Sequence, residues 1–487
     1  MSKLISLIKA PYIYLLPLVY IIFLFQWAVV HPYGNFNVTY YDELADAFLA
    51  GQVHLLRPPP PELLALPDPW DPNANRGFRE APDIPGQRFQ GIHDLTLYDG
   101  KLYVQWGPLP ALVIIPLRWV AGHDLPMGRL VLVVAVLAAL AYAAATLKLA
   151  RLSGLPQAQF MNCLIVPLFM LCPFWTFILR RIAVYETAVF FGQFCVSFAL
   201  LSVVVAFDEK LTRGRDRVWL LALGSMFLGL SVDCRPELAP LGLMVPVLLY
   251  VWSRTNPHGR SWHRLIGPAL ALGVPAATLL ACTLVYNEVR FGNFLETGPN
   301  WILWAGHESI LQHKFKLLSA GRILPNIWYY FLAPVQIFPP YPFGLEPTLL
   351  SPHSWMSADG VDEYYDYVEK TSGLFVVVPM TMMVLLSPLL ILRKSRTGAD
   401  DRVGLIVGLL LLGGLLCATL FLSIATIRYG SEWCMWWLMA GAIIAFLLRE
   451  KLRGLSLPVA SVLFDVGLVA STLWSCWVGV AFLLGGG

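Results

Sequence analysis

The sequence predicts an all-α polytopic membrane protein with about 11 transmembrane helices and two long outer loops that carry short interfacial helices. The first observation behind this is composition. Hydrophobic residues make up 57% of the chain and charged residues 13%, against about 25% charged in soluble domains. The second is a series of uncharged runs near the roughly 20 residues that a span requires. They cover 11–30, 130–147, 152–179, 187–207, 265–286, 371–392 and 403–427. Shorter apolar stretches at 218–232, 238–253 and 433–448 read as spans with polar residues at the outer rim, and 457–483 as a last span interrupted by Asp465. The third is a pair of long polar segments, 32–108 and 287–371, that this span count puts on one side of the membrane. Residues 1–487 therefore read as a single membrane domain, with those segments as its first and second extracytoplasmic loops.

Orientation follows from the basic residues, which favour short cytoplasmic loops. Lys148, Arg151, Arg213, Arg217, Arg254, Arg393, Lys394 and Arg453 all lie in short connections on one side. The N-terminus is expected in the cytoplasm and the long loops outside. The first span follows only Lys3 and Lys9 and lacks an A-x-A-like cleavage site, so it reads as a retained anchor. A net charge of +3 gives no electrostatic footprint for nucleic acid; the expected partner is the lipid bilayer. The cysteines are scattered singly and mostly read as small apolar residues.

In the first loop, residues 41–51 predict a short helix, because Leu44, Ala47, Phe48 and Ala50 recur at helical spacing and Gly51 stops it. Pro58 to Pro61 favour polyproline II. Residues 67–88 have no period and read as loop. Residues 93–107 predict a hairpin turning at Asp99-Gly100. Leu109 to Gly122 is apolar but for Arg118, and its length suits an interfacial or re-entrant helix. In the second loop, Trp301, Trp304, Trp328, Tyr329, Tyr330, Phe331 and Tyr341 suit half-buried helices in the headgroup layer.

Four groups of residues are candidates for chemistry. Asp42, Glu43 and Asp46 follow the first span, and spacing i, i+4 puts Asp42 and Asp46 on one helix face. Such carboxylates suit proton abstraction from a hydroxyl; acids in a first turn also favour the helix dipole. His93-Asp94 offers a metal-binding or general-base pair, or ordinary loop hydrogen bonds. Arg180, Arg181, Arg235, Arg290 and Arg428 form a set of rim cations suited to phosphate. Each also has an acid nearby in sequence (Glu186, Glu237 with Asp233, Glu288, Glu432), which leaves structural ion pairing open. Asp465 stands in the last span with no evident partner, and Gly404 and Gly408 form a G-x-x-x-G packing motif.

The acids after the first span, the many spans and the second large outer loop resemble the C-type (GT-C) integral membrane glycosyltransferases. The phrases YYDELADAFLAGQVHL, PPPPELLALPDPWDP, HDLTLYDGKLYVQWGPLPAL, VYETAVFFG, CRPELA, YNEVRFGNFLETG and IRYGSEW look like a bacterial group within that superfamily, over roughly residues 11 to 440. The resemblance implies a multi-pass protein of the bacterial inner membrane with its site in a cavity at the outer face. It implies a polyprenyl-phosphate-linked sugar donor, an acceptor hydroxyl, and inverting displacement with a first-loop acid as base. Asp42-Glu43 matches the family's acidic pair in kind and place. Its gap to Gly51 is shorter than in members acting on lipid A or protein, which leaves Asp46 and Asp94 as rivals. Arg235 and Arg428 are the first choices for the donor phosphate, followed by Arg290 and Arg181. Tyr40, Tyr41, His93, Trp106, Trp301, Glu186 and Glu432 are expected to line the substrate. Some members need a divalent metal ion; no clear ligand set stands in this sequence. A lipid or sugar transporter, or a scaffold of an envelope-polysaccharide complex, is the alternative. A transporter predicts inverted repeats and broken midplane helices.

Overall fold

The computed structural model describes residues 40–79, 91–122, 127–155, 159–180, 182–208, 215–255, 262–303, 322–337, 345–347, 370–392, 398–422, 425–455 and 457–484. Among the described residues, eight helices are long and apolar enough to cross a membrane: Met127–Leu152, Phe160–Leu179, Val184–Ala206, Asp216–Cys234, Pro236–Thr255, His263–Phe291, Ile427–Gly454 and Pro458–Leu483. They coincide with eight of the expected spans. The expected spans at 371–392 and 403–427 correspond to shorter apolar helices, Pro379–Leu389 and Arg402–Cys417. The expected first span, 11–30, lies outside the described residues.

We number the helices used below α1 (Tyr41–Leu49), α2 (Leu109–Ala121), α3 (Met127–Leu152), α4 (Gln159–Met170), α5 (Pro173–Leu179), α6 (Val184–Ala206), α7 (Arg215–Cys234), α8 (Met244–Thr255), α9 (Trp262–Phe291), α10 (Gly398–Cys417), α11 (Ile427–Gly454) and α12 (Pro458–Leu484). Two expected spans are not continuous α-helix. The run 152–179 breaks between α4 and α5, where Pro173 opens the second piece. The run 238–253 begins as a 3₁₀ helix, Pro236–Leu243, which holds Pro240; proline removes the i−4 hydrogen bond and favours the tighter turn.

In the bundle, α6 packs between α3 and α7, α7 packs on α9, and α11 packs on α10. Helix α11 is the most enclosed: 89% of its apolar window is buried. Helix α9 is the least, and Ile266, Leu270, Val274, Val285 and Val289 form an exposed apolar stripe along it, suited to lipid. Helix α10 approaches α11 closely at a second pair of glycines. A Cβ on Gly413 would lie 2.5 Å from the Trp436 ring, and one on Gly414 3.0 Å from Trp437. Asp465, which the sequence left without a partner, accepts from Arg449 Nε at 2.5 Å and from Arg453 Nη2 at 3.3 Å across the α11–α12 hairpin.

Two parts of the first loop fold as its sequence indicates, while short helices at Pro61–Leu64 and Arg76–Arg79 interrupt what reads as polyproline and loop. Helix α1 ends before Gly51, which takes φ 75°. Strands β1 (Leu95–Tyr98) and β2 (Lys101–Val104) pair antiparallel, with Asp99 and Gly100 both at positive φ (48° and 66°) in the turn, as a two-residue hairpin of this twist requires. The second loop docks on the free edge of β1: Leu303 N donates to Leu95 O at 2.8 Å, and Asp94 N to Leu303 O at 3.0 Å. The second loop also contains a strand pair that the sequence reading did not foresee, β3 (Val335–Ile337) with β4 (Leu345–Pro347).

The first loop is pressed against the bundle at one point. A Cβ on Gly107 would lie 1.3 Å from the carbonyl oxygen of Asp233, at the end of α7. Neither partner can yield there, since the oxygen belongs to backbone and the Cβ is fixed by its own. Gly107→Ala is therefore expected to lift the 105–109 segment from α7 and to cost about 3 kcal/mol or more of stability. A thermal melt in detergent checks this; a wild-type midpoint would contradict the contact.

Candidate functional site

The first-loop acids sit on a platform built by α1, α2 and the segment before β1. Tyr40 precedes α1 at φ 55°, and its hydroxyl donates to the His93 carbonyl at 2.8 Å. Burial, then the charge of Asp94, pushes the Tyr40 phenol well above its ordinary pKa, so it stays a neutral donor. Asp42 and Asp46 share a face of α1, as their spacing indicated. Arg118 reaches across from α2 and forks between them: Nη2 to Asp42 Oδ1 at 2.9 Å and Nη1 to Asp46 Oδ1 at 2.8 Å. The guanidinium is 11% exposed, the two carboxylates about a third. Each carboxylate therefore gives one oxygen to Arg118. Glu43 points elsewhere, to Arg57 Nε at 3.1 Å. Sequence reasoning noted Arg118 only as the lone charge of an apolar helix, and that isolation was the signal for its role.

Asp94 adopts φ 63°, a left-handed conformation that costs a side-chain-bearing residue free energy and often marks a functional turn. Its Oδ1 stands 3.5 Å from His93 Nε2. Among the described residues, no three His, Cys, Asp or Glu side chains converge as a metal's ligands would. Arg118 already occupies one oxygen of both Asp42 and Asp46. The described first-loop acids thus form no divalent-ion ligand set.

The rim arginines divide into two kinds. Arg235 and Arg428 meet at Tyr185: their guanidinium carbons lie 4.5 and 4.4 Å from its ring centre, within the cation–π range. Trp106 meets the same ring edge-to-face at 5.5 Å. Arg235 is 1% exposed. Its Nη2 donates to Tyr185 Oη at 2.7 Å and to Glu432 Oε1 at 2.5 Å, while Nε and Nη1 have no acceptor among the described residues. Glu237 Oε2 stands 3.6 Å from Nε. Arg428 Nη1 lies 3.6 Å from Glu186 Oε1, and Glu186 Oε2 accepts the Ala183 N–H that opens α6. The ion pairs are thus crossed relative to sequence proximity: Glu432 serves Arg235, and Glu186 serves Arg428. Tyr185, the hub of the cluster, was not among the residues singled out from sequence.

Arg290 belongs to the second kind. It donates to the carbonyls of Val104 at 2.8 Å and Gln105 at 3.3 Å, and to Asn287 Oδ1 at 2.6 Å. It anchors the exit of the hairpin and stands apart from the Tyr185 cluster. Trp301 likewise packs on the hairpin side, against Tyr98 and Trp70, with its carbonyl accepting from Trp70 Nε1. Arg181 lies outside the described residues. Tyr41 joins the two halves of the site. It is fully buried, and burial first, then Cys234, Tyr286 and Asp233, raise its hydroxyl's pKa, with Arg235 acting the other way.

An apolar cavity of about 310 Å³ begins about one helical turn from the residues that touch Arg235. Its position follows from the helices that touch Arg235. Glu432 on α11 bonds it, Gly192 on α6 packs 3.0 Å from its Cγ, and Glu237 on the 3₁₀ helix faces its Nε. The residue one turn further along each element, Trp436, Val196 and Leu241, lines the cavity. The walls continue with Leu200, Leu228, Met244 and Leu409 down to Thr255 and Arg402. A cation with unused N–H groups thus stands about one helical turn from the wall of an apolar slot among the spans.

No family model and no curated protein sequence matches the chain. Among solved structures it is similar to the oligosaccharyltransferase of Archaeoglobus fulgidus. The apo crystal structure matches 92% of this chain and 56% of that one at 13% identity and a TM-score of 0.39. The form tethered to an acceptor peptide matches 81% and 49% at 14% identity and 0.41. The complex of AglB with an inhibitory peptide and a dolichol-phosphate matches 84% and 51% at 14% identity and 0.39. The chain spans about half the length of these structures.

Proposed function

We propose that this protein is a membrane glycosyltransferase of the C-type superfamily, moving a sugar from a polyprenyl-phosphate-linked donor to an acceptor hydroxyl at the outer face of the bacterial inner membrane. The observation that carries this reading is the buried Arg235, with N–H groups unclaimed among the described residues, about one helical turn from the wall of the apolar cavity. An apolar tail with an anionic head is the ligand such a site is shaped for: the tail lies among the spans, and the phosphate meets Arg235 and Arg428 around Tyr185. The N-terminus is cytoplasmic in this reading, which puts the first-loop acids and the arginines on the outer side.

The reaction is a single displacement. The acceptor oxygen attacks the anomeric carbon from the face opposite the phosphate and passes its proton to a first-loop carboxylate. The bond from the anomeric carbon to the phosphate oxygen breaks, and the polyprenyl phosphate leaves with the electron pair. Configuration at the anomeric carbon inverts. The guanidiniums act where charge grows on the leaving phosphate, in surroundings that exclude water, where such stabilisation is strongest. Of the acids, Asp42 is our choice of base. It follows Tyr41 directly, and Tyr41 lies within the electrostatic reach of Arg235; Asp46 is a full turn further along α1.

The test is a transfer assay on purified protein in lipid, with a panel of radiolabelled polyprenyl-phosphate monosaccharides and a native membrane extract as acceptor. Label is expected to move to the acceptor from at least one donor, with free polyprenyl phosphate as the second product. Neither transfer, nor donor hydrolysis, nor donor binding across the panel would reject the reading.

A further inference from the structure

We propose that the Glu237 carboxylate is a displaceable counter-ion: it occupies the phosphate position on Arg235 while no donor is bound and swings out when the donor arrives. This rests on the donor reading above. The two carboxylates that face Arg235 are held very differently. Glu432 is 1% exposed and bonds Nη2 at 2.5 Å. It sits on the most enclosed helix, where leaving is not an option. Glu237 approaches Nε at 3.6 Å, beyond hydrogen-bond range, and its side chain is 31% exposed. Its Oε2 and the Arg235 Nε both lack a hydrogen-bond partner among the described residues, although the two face each other.

The backbone of Glu237 is fixed, because its carbonyl accepts from Thr419 Oγ1 at 3.1 Å. Only the side chain needs to move, and a rotamer change toward the surface is a small event. Charge supplies the reason for moving. The two guanidiniums on Tyr185 already face three carboxylates, Glu432, Glu237 and Glu186, so a phosphate added beside all three would leave an excess of negative charge around two cations. With Glu237 turned away, the phosphate takes over its partner's N–H groups, which are matched to oxyanion geometry. With the site empty, Glu237 returns and keeps the guanidinium from standing buried with unbalanced charge. The arrangement also assists release of the product phosphate, since the carboxylate competes for the same N–H groups.

The measurement is equilibrium binding of radiolabelled farnesyl monophosphate to the whole protein in nanodiscs, with farnesol as the uncharged control. Wild type, E237Q, E237D and R235Q are compared, and a thermal melt verifies folding. E237Q is expected to bind farnesyl monophosphate about tenfold more tightly than wild type, with farnesol binding unchanged. E237D, which keeps the charge, is expected to stay near wild type. Equal or weaker binding by E237Q, with R235Q still impaired, would overturn the counter-ion role and leave the donor reading standing. Equal binding by wild type and R235Q would remove the donor site itself, and this proposal with it.

Discussion

Replacing Arg235 with glutamine is expected to destabilise the protein by about 3–5 kcal/mol, because it strands a buried carboxylate. Arg235 and Glu432 are each 1% exposed and bond at 2.5 Å. Removing the cation leaves Glu432 without its charge partner in the interior of α11; removing the carboxylate in E432Q reduces the balance around Arg235 in the opposite sense. A structural pair and a ligand site predict different behaviour when both partners change. Replacing a buried pair with apolar residues of similar volume is commonly neutral or stabilising. The double variant R235M/E432L is therefore expected to recover much of the melting temperature that either single variant loses, while donor binding and transfer stay absent. Thermal melts and transfer assays on the four proteins make the comparison. Recovery of transfer together with stability would show that Arg235 serves the fold alone. A wild-type melting temperature for R235Q would show that the pair contributes little to stability.

The sequence carried the local features of this site and missed its partnerships, for a physical reason. Period and turn chemistry act within a few residues. They placed α1 ahead of Gly51, the hairpin at Asp99-Gly100, and Asp42 with Asp46 on one face. They also marked Leu109 to Gly122 as a separate apolar helix with one charge. Partnership depends on how distant segments pack. Arg118 meets Asp42 over 76 positions and Arg235 meets Glu432 over 197, and no spacing rule reaches that far. Proximity in sequence suggested Glu432 for Arg428, whereas helix packing turns Glu432 toward Arg235 and brings Glu186 to Arg428. Tyr185 escaped notice for the same reason: an aromatic near a span end is ordinary, and only the two guanidiniums on its ring distinguish it. Arg290 looked like its neighbours in sequence, yet its guanidinium is engaged by the carbonyls at the hairpin's exit.

Asp42→Asn is expected to lower kcat by about 100-fold or more, the scale of a lost general base, with little change in the donor's KM. Asparagine keeps the size of the side chain and one acceptor oxygen for Arg118 but cannot take up the acceptor's proton. Asp46→Asn provides the contrast. It weakens the same fork from the other side, so a purely structural role for the pair predicts similar losses from both substitutions, whereas a base at position 42 predicts a much larger loss there. Asp94→Asn tests the remaining rival; asparagine tolerates the left-handed conformation, so that variant should fold and retain most activity. Arg118→Lys completes the set. Lysine keeps the charge but has no planar fork to span carboxylates a turn apart, so the Asp42 oxygen should lose its fixed direction and kcat should fall while donor KM stays put. The assay is steady-state transfer with folding checked by melt. A large loss at Asp94 with Asp42→Asn active would move the base to the turn before β1, and equal activity in all three acid variants would remove the first-loop carboxylates from the chemistry.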